Sequence, residues 1–211
     1  PFSCTFCVEG DSYYNTISHS SFDKLASEFN YIGEKMATIR KEGGRNDLFI
    51  ADSNFGMYKA DLKTAELIAN VKDRYGWPDY INVATGKNHK ERVLEVSNII
   101  EGSLRLSGSV QSLNPTVLEN IKRKNISASD LMELSLSASQ INANSYSEII
   151  LGLPGETKES HYRTVKQVID AGFNNVYLFQ LMLLPGSELN DSVSRVRYAM
   201  QTRYRALPRC Y

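Results

Sequence analysis

The chain has few of the residues that build metal-rich or disulfide-rich proteins: three cysteines, three histidines and one tryptophan in 211 residues. Cys4, Cys7 and Cys210 are too few and too unevenly spaced for the disulfide framework of a small secreted domain, and they point to chemistry in a reducing compartment, the cytoplasm. His19, His89 and His161 lie far apart and no second Cys-x-x-Cys occurs, which argues against a zinc site. Neither sign of charge is in excess: 24 Lys and Arg balance 24 Asp and Glu, so no overall field draws the chain to nucleic acid or to an anionic membrane. An apolar run of the ~20 residues that a membrane helix needs is missing, as is a signal peptide at the start. The expected partner is a small molecule, with neither nucleic acid nor membrane involved. No methionine opens the chain at Pro1, and it stops at Tyr211 directly after the turn-like Leu207-Pro208-Arg209-Cys210, so a piece of a longer protein is expected.

What the chain does hold is apolar material, 42% of its residues, enough for one sizeable core. Five apolar, β-branched or aromatic runs stand out: Leu48 to Ala51, Tyr80 to Ala84, Leu104 to Gln111, Glu148 to Gly152 and Val176 to Leu184. A further strand is expected just before or across Pro1 to Cys4. Between the runs, apolar residues recur at steps of three or four, as on one face of a helix. Phe22, Leu25, Phe29, Ile32, Met36 and Ile39 make one such face, and Leu62, Ala65, Ile68, Val71 and Tyr75 make another. Tyr162, Val165, Val168 and Ile169 form a third, closed by Gly172. Asn114 before Pro115, and Ser127 three residues before Asp130, are signals for helix starts. Alternating strand-helix units imply an α/β fold with parallel strands, and periodicity does not choose between a doubly wound sheet and a β/α barrel. In both, a site lies beyond the carboxyl ends of the strands. Those ends are polar here, at Asp52 and Asn54, Thr85 and Lys87, and Gln111 and Ser112, although loops are polar in any protein.

The densest chemical signal is Cys4-Thr5-Phe6-Cys7, because two thiolates three positions apart can grip one metal centre. The same pair also suits a dithiol redox couple, half of a zinc site, or two small buried hydrophobes. Several strand-helix units follow it, more than a thioredoxin-like fold would supply.

Pro1-Phe2-Ser3-Cys4-Thr5-Phe6-Cys7 resembles the tail of CxxxCxxC, the signature of the radical S-adenosylmethionine (SAM) superfamily, with Cys4 and Cys7 at its second and third cysteines and the first expected one residue before Pro1. Ala51-Asp52-Ser53-Asn54-Phe55-Gly56, Asn82 to Asn88, Ser109-Val110-Gln111-Ser112-Leu113-Asn114, Gly152-Leu153-Pro154-Gly155-Glu156-Thr157 and Gln180 to Ser187 extend the likeness over nearly all of the chain. Together they resemble the cobalamin-binding-type subgroup.

The resemblance implies a partial, six-stranded β/α barrel of the TIM type over residues 1–190, with a C-terminal extension beginning over 191–211. It implies an enzyme whose 4Fe-4S cluster, held by three thiolates, cleaves SAM with one electron from a donor, yielding a 5′-deoxyadenosyl radical that acts on a small-molecule substrate. Cobalamin, carried by a domain upstream of Pro1, is a further cofactor it allows. Cys4 and Cys7 would be metal ligands. Phe6 would lie near the adenine, and Asp52 and Asn54 end the strand that receives the methionine amino group. Gln111 and Glu148 would bind the ribose and Arg123, or Lys122 or Lys124, the methionine carboxylate, for which a planar guanidinium is well shaped. Gly152 would let backbone approach the adenosine. A dithiol oxidoreductase using Cys4 and Cys7, and a non-catalytic β/α binding module, stand as alternatives. Arg195, Arg197, Arg203, Arg205 and Arg209 suit an anionic substrate or, equally, a solvated helix face.

Overall fold

The computed structural model of the protein describes residues 3–204 except 11, 12, 14, 15, 87 and 142. Lys87, Arg205, Arg209 and Cys210 therefore lie outside the described residues. Five strands alternate with helices: β1 (Asp47–Phe49), β2 (Tyr80–Asn82), β3 (Leu106–Ser107), β4 (Ser145–Leu151) and β5 (Asn175–Gln180). The helices are α1 (Phe22–Lys41), α2 (Ala60–Tyr75), α3 (Lys90–Ile99), α4 (Pro115–Asn120), α5 (Ala128–Gln140), α6 (Lys158–Asp170) and α7 (Ser192–Arg197).

Every strand pairing is parallel. β1 pairs with β2, and β3, β4 and β5 pair in that order. Among the described residues a single bridge, Ile81 with Leu104, joins the two groups, supported by the Ile81 amide on the Ser103 carbonyl at 2.7 Å. Spatial order thus follows chain order. A doubly wound sheet needs a reversal in that order, and none occurs among the described strands.

The run from Leu104 to Gln111 is broken rather than one strand. Leu104 bridges β2, Leu106 and Ser107 pair with β4, and Gln111 bridges Ile149. Two local features explain the break: Gly108 lies so close to Phe173 that a Cβ would meet its ring at 2.5 Å, and Gln111 has a left-handed backbone, φ 64°. The strand expected across Pro1 to Cys4 falls partly on Pro1 and Phe2, outside the described residues, and Ser3 and Cys4 are irregular.

Strand alternation divides the sheet into two chemically different faces. Leu48, Ile81, Leu104 and Leu106 pack against Ala65, Ile68, Val71, Val93 and Val96 of α2 and α3. Ile149 packs with Leu131 of α5 and Val168 of α6. Each such aliphatic side chain, fully buried, contributes about 1.5–3 kcal/mol. The intervening residues, among them Phe49, Asn82, Arg105, Tyr146, Glu148, Tyr177 and Phe179, line one open cavity of about 550 Å³. In a flat sheet β1 and β5 would stand about 19 Å apart, at ~4.8 Å per strand, so a cavity shared by Phe49 and Phe179 means that the sheet is concave.

Helix boundaries follow the local signals. The Asn114 side chain accepts from the Thr116 and Val117 amides, with Pro115 at the first helical position, and Ser127 and Asp130 form a reciprocal capping box. Gly172, φ 82°, follows α6. The apolar face of α1 is only half used: Phe29 and Met36 reach the core, whereas Phe22, Ile32 and Ile39 remain more than a third exposed. Among the described residues no helix is long and apolar enough to cross a membrane.

Candidate functional site

Cys4 and Cys7 sit on a loop at the carboxyl end of the sheet. The Cys7 amide donates to the Cys4 carbonyl at 3.1 Å, closing a tight turn. Thr5 clamps that turn from both sides: its amide donates to the Ile121 carbonyl at the end of α4, and its carbonyl accepts from Leu189. Both cysteines line a cavity of about 460 Å³ with Thr5, Ser187, Glu188 and Asp191. Cys4 is buried. Past the pair, Glu9 accepts a hydrogen bond from Ser53 at 2.8 Å, tying the loop to the segment after β1.

Of the run Lys122-Arg123-Lys124, only Arg123 turns inward. It is 5% exposed, while Lys122 lies in solvent, paired with Glu188 at 2.8 Å. One guanidinium nitrogen of Arg123 approaches the Cys4 sulfur at 3.9 Å, another bonds the Ser109 carbonyl, and Nε donates to Asn125 at 2.7 Å. Asn125 in turn donates to the Val110 and Ser112 carbonyls, which orients the arginine. No carboxylate lies within ion-pair distance of Arg123 among the described residues. Burial lowers its pKa below the usual guanidinium value, an effect opposed by Cys4 first and then by Glu148 and Cys7. A buried guanidinium so placed is built to meet negative charge.

Gln111 and Glu148 face each other at the same end. The Gln111 amide nitrogen lies 3.5 Å from a Glu148 oxygen. The other end of that side chain, Oε1, is buried without a hydrogen-bond partner among the described residues, as is the Thr5 hydroxyl. Such orphans carry a cost of about 1–3 kcal/mol unless a ligand or water satisfies them. Four of the expected residues, Cys4, Gln111, Arg123 and Glu148, are thus brought to one rim.

The others divide. Asp52 lines the open cavity beside Glu148, although its carboxylate also accepts from the Asn54 amide at 2.7 Å. Asn54 is not among that cavity's walls, and its carbonyl closes a turn onto Met57. Gly152, φ 88°, has nothing within 4 Å of where a Cβ would stand, so backbone is open to approach there. Phe6 packs against Val117, Ile121 and Leu153, as ordinary loop packing would have it.

Sequence reasoning passed over Asn125, which has no motif and reveals itself only by the arginine it holds. It also left Glu156 unassigned within Gly152 to Thr157. Glu156, half-buried with its side chain turned inward, accepts from Ser112 and meets His161 Nδ1, both at 3.1 Å, pinning the loop after β4 to the loop after β3.

A parallel α/β fold thus brings a thiol pair, a buried arginine and unsatisfied polar groups to the carboxyl rim of its strands, where sites of such folds lie. No protein-family model matches the chain. A cobalamin-dependent radical SAM methyltransferase, TokK, of Streptomyces tokunonensis is 31% identical over 206 residues, 96% of this chain. A 2-(S-pantetheinyl)-carbapenam-3-carboxylate methyltransferase of Streptantibioticus cattleyicolor is 30% identical over 96% of this chain. The chain spans 29% of the length of each of these relatives. Among solved structures, the radical SAM methyltransferase TsrM of Kitasatospora setae matches with TM-score 0.66 and 18% identity, over 89% of this chain and 34% of that one. Coproporphyrinogen III oxidase of Escherichia coli matches with TM-score 0.56 and 20% identity, over 86% and 42%. The fold is therefore a partial TIM-like α/β fold. Over nearly its whole length the chain is similar to cobalamin-dependent members of the radical SAM superfamily.

Proposed function

We propose that residues 1–190 form the six-stranded core of a cytoplasmic radical SAM enzyme that methylates a small molecule with the help of cobalamin, and that 191–211 begin a further segment. The observation that carries this reading is the buried Arg123, which reaches Cys4 and has no carboxylate partner among the described residues, next to the orphaned Gln111 oxygen. The donor set fits the group. A cluster thiolate and an amino-acid carboxylate would satisfy the arginine, and a ribose hydroxyl would satisfy Gln111.

When bound, the 4Fe-4S cluster and SAM supply one-electron cleavage of a sulfonium bond. Cys4 and Cys7, with a third thiolate expected one residue before Pro1, would be the ligands that hold the cluster. Arg123 orients the methionine carboxylate, Gln111 and Glu148 the ribose, and Phe6 flanks the adenine. Gly152 leaves room at the adenosine. Of Asp52 and Asn54, only Asp52 lines the cavity, so it is the better candidate for the methionine amine. Thr5, Asn125 and Glu156 hold these groups in register. The electron donor and the cobalamin domain come from outside the residues described.

Anaerobic reconstitution of the natural full-length protein tests the reading. Iron and sulfide should each approach about four per chain, with visible absorption bleached by dithionite, and Cys4→Ala should abolish both. A reversible Cys4–Cys7 disulfide without iron would instead favour the dithiol oxidoreductase.

A further inference from the structure

Arg105 lies one residue before β3, on the open face of the sheet, and forms part of the wall between the open cavity and a second hollow at the amino ends of the strands. It is half-buried. Its guanidinium stands 5.1 Å from the Tyr146 ring centre and 5.9 Å from that of Tyr177, and donates to the Tyr177 hydroxyl at 2.7 Å. The carboxylates around the amino ends are engaged elsewhere: Asp47 by Arg45 at 2.8 Å, Asp79 by Arg40 at 2.8 Å and Glu101 by Lys72 at 3.1 Å. Arg105 makes no ion pair among the described residues. A guanidinium has five N–H donors in a planar fork, and the bond to Tyr177 engages one nitrogen of a side chain that lines the open cavity.

We infer that Arg105 is the floor of the substrate cavity and binds a carboxylate on the substrate. The two tyrosine rings lie beside the guanidinium and the Tyr177 hydroxyl fixes one of its nitrogens, so its remaining donors would meet a planar acceptor. A single cation suits a monoanion. Glu148 and Asp52 line the same cavity and would oppose the second charge of a phosphate. A molecule anchored by its carboxylate at Arg105 extends past Phe49, Tyr177 and Phe179 toward Glu148 at the carboxyl rim, where the proposed cofactors sit. The substrate class is thus a small organic acid with an apolar or aromatic-compatible body. The location of the chemistry rests on the radical SAM reading, whereas the anion site rests on Arg105 alone.

The test uses the full-length protein and a fluorescent probe, anthracene-9-carboxylate, with its neutral carboxamide as control. The carboxylate should bind more tightly than the carboxamide, and Arg105→Gln should weaken the carboxylate by about tenfold or more, the loss expected for a hydrogen bond to a charged group. Carboxamide binding should not change. Tyr177→Phe, which keeps the ring but releases the fork, should give an intermediate loss and serves if Arg105→Gln does not fold. Equal affinities for the two probes, carboxylate binding indifferent to both substitutions, or tighter binding of phenyl phosphate than of the carboxylate would each overturn the inference. Iron loading and SAM binding are measured on the same samples. Their failure with Arg105-dependent carboxylate binding intact would remove the radical reading and leave the anion site standing.

Discussion

At the scale of single residues, burial separates Arg123 from the lysines on either side. A surface ion pair such as Lys122 with Glu188 is worth at most about 1 kcal/mol, because solvent screens it. Arg123 is desolvated, bonds a buried carbonyl and touches a thiol that the proposed cluster would use. We expect Arg123→Ala in the full-length protein to weaken SAM binding by ~1.5–3 kcal/mol, against little change for Lys122→Ala. Calorimetric titration under anaerobic conditions reads the difference, and equal small effects would return Arg123 to the status of a scaffold residue. Because Arg123 lies 3.9 Å from the Cys4 sulfur, the same substitution should also shift the reduction potential of the cluster, which Lys122→Ala should leave in place.

Among the elements, the contact of α1 with α2 depends on Gly33, the buried residue of α1. An alanine methyl there would stand 2.7 Å from Val71 and from the Tyr75 ring. Helix propensity favours Ala over Gly by up to about 1 kcal/mol, while overpacking a close contact costs about 1–3 kcal/mol. Tyr75 can swing aside but Val71 is buried, so the cost should win by about 1 kcal/mol. For a domain of this size that lowers the thermal midpoint by roughly 2–4 °C. Thr38→Ala, exposed on the same helix, should raise it slightly, which makes the pair a control on helix propensity itself. The repeating apolar pattern marks one face of α1, and the structure buries only part of it, with Gly33 at the close contact to Val71 and Tyr75.

Across the whole molecule, the strand ladder is thinnest at the seam between β2 and β3, where among the described residues one strand bridge and one side-chain hydrogen bond join the two groups of strands. The Thr85 hydroxyl, 4% exposed, accepts the Ser107 amide at 2.9 Å. Thr85→Val keeps the shape and removes the acceptor, leaving a part-buried amide unsatisfied at a cost of about 1 kcal/mol. Hydrogen exchange should show the Ser107 amide losing protection more than amides within the β4–β5 ladder. Uniform loss across the sheet would mean that the seam is no weaker than its surroundings.

Much of this architecture was legible in the sequence because its causes are local. Strand and helix periods follow from side chains a few positions apart, caps at Asn114 and Ser127 from side chains that reach their own helix, and the cysteine signature from residues within one turn. From these came the parallel winding, while the superfamily likeness and the candidates at Cys4, Gln111, Arg123 and Glu148 came from the resemblance of the motifs to a family. What tertiary structure alone decided is which polar groups end without partners. Breaking the third strand at Gly108 and Gln111 required Phe173, sixty-odd residues further on. The freedom of Arg105 to meet an anion depends on where Arg45, Arg40 and Lys72 spend their charges, and on two tyrosines from β4 and β5. Those partners are distant in the chain, so no period or motif registers them, and only the parallel pairing of the strands brings them together.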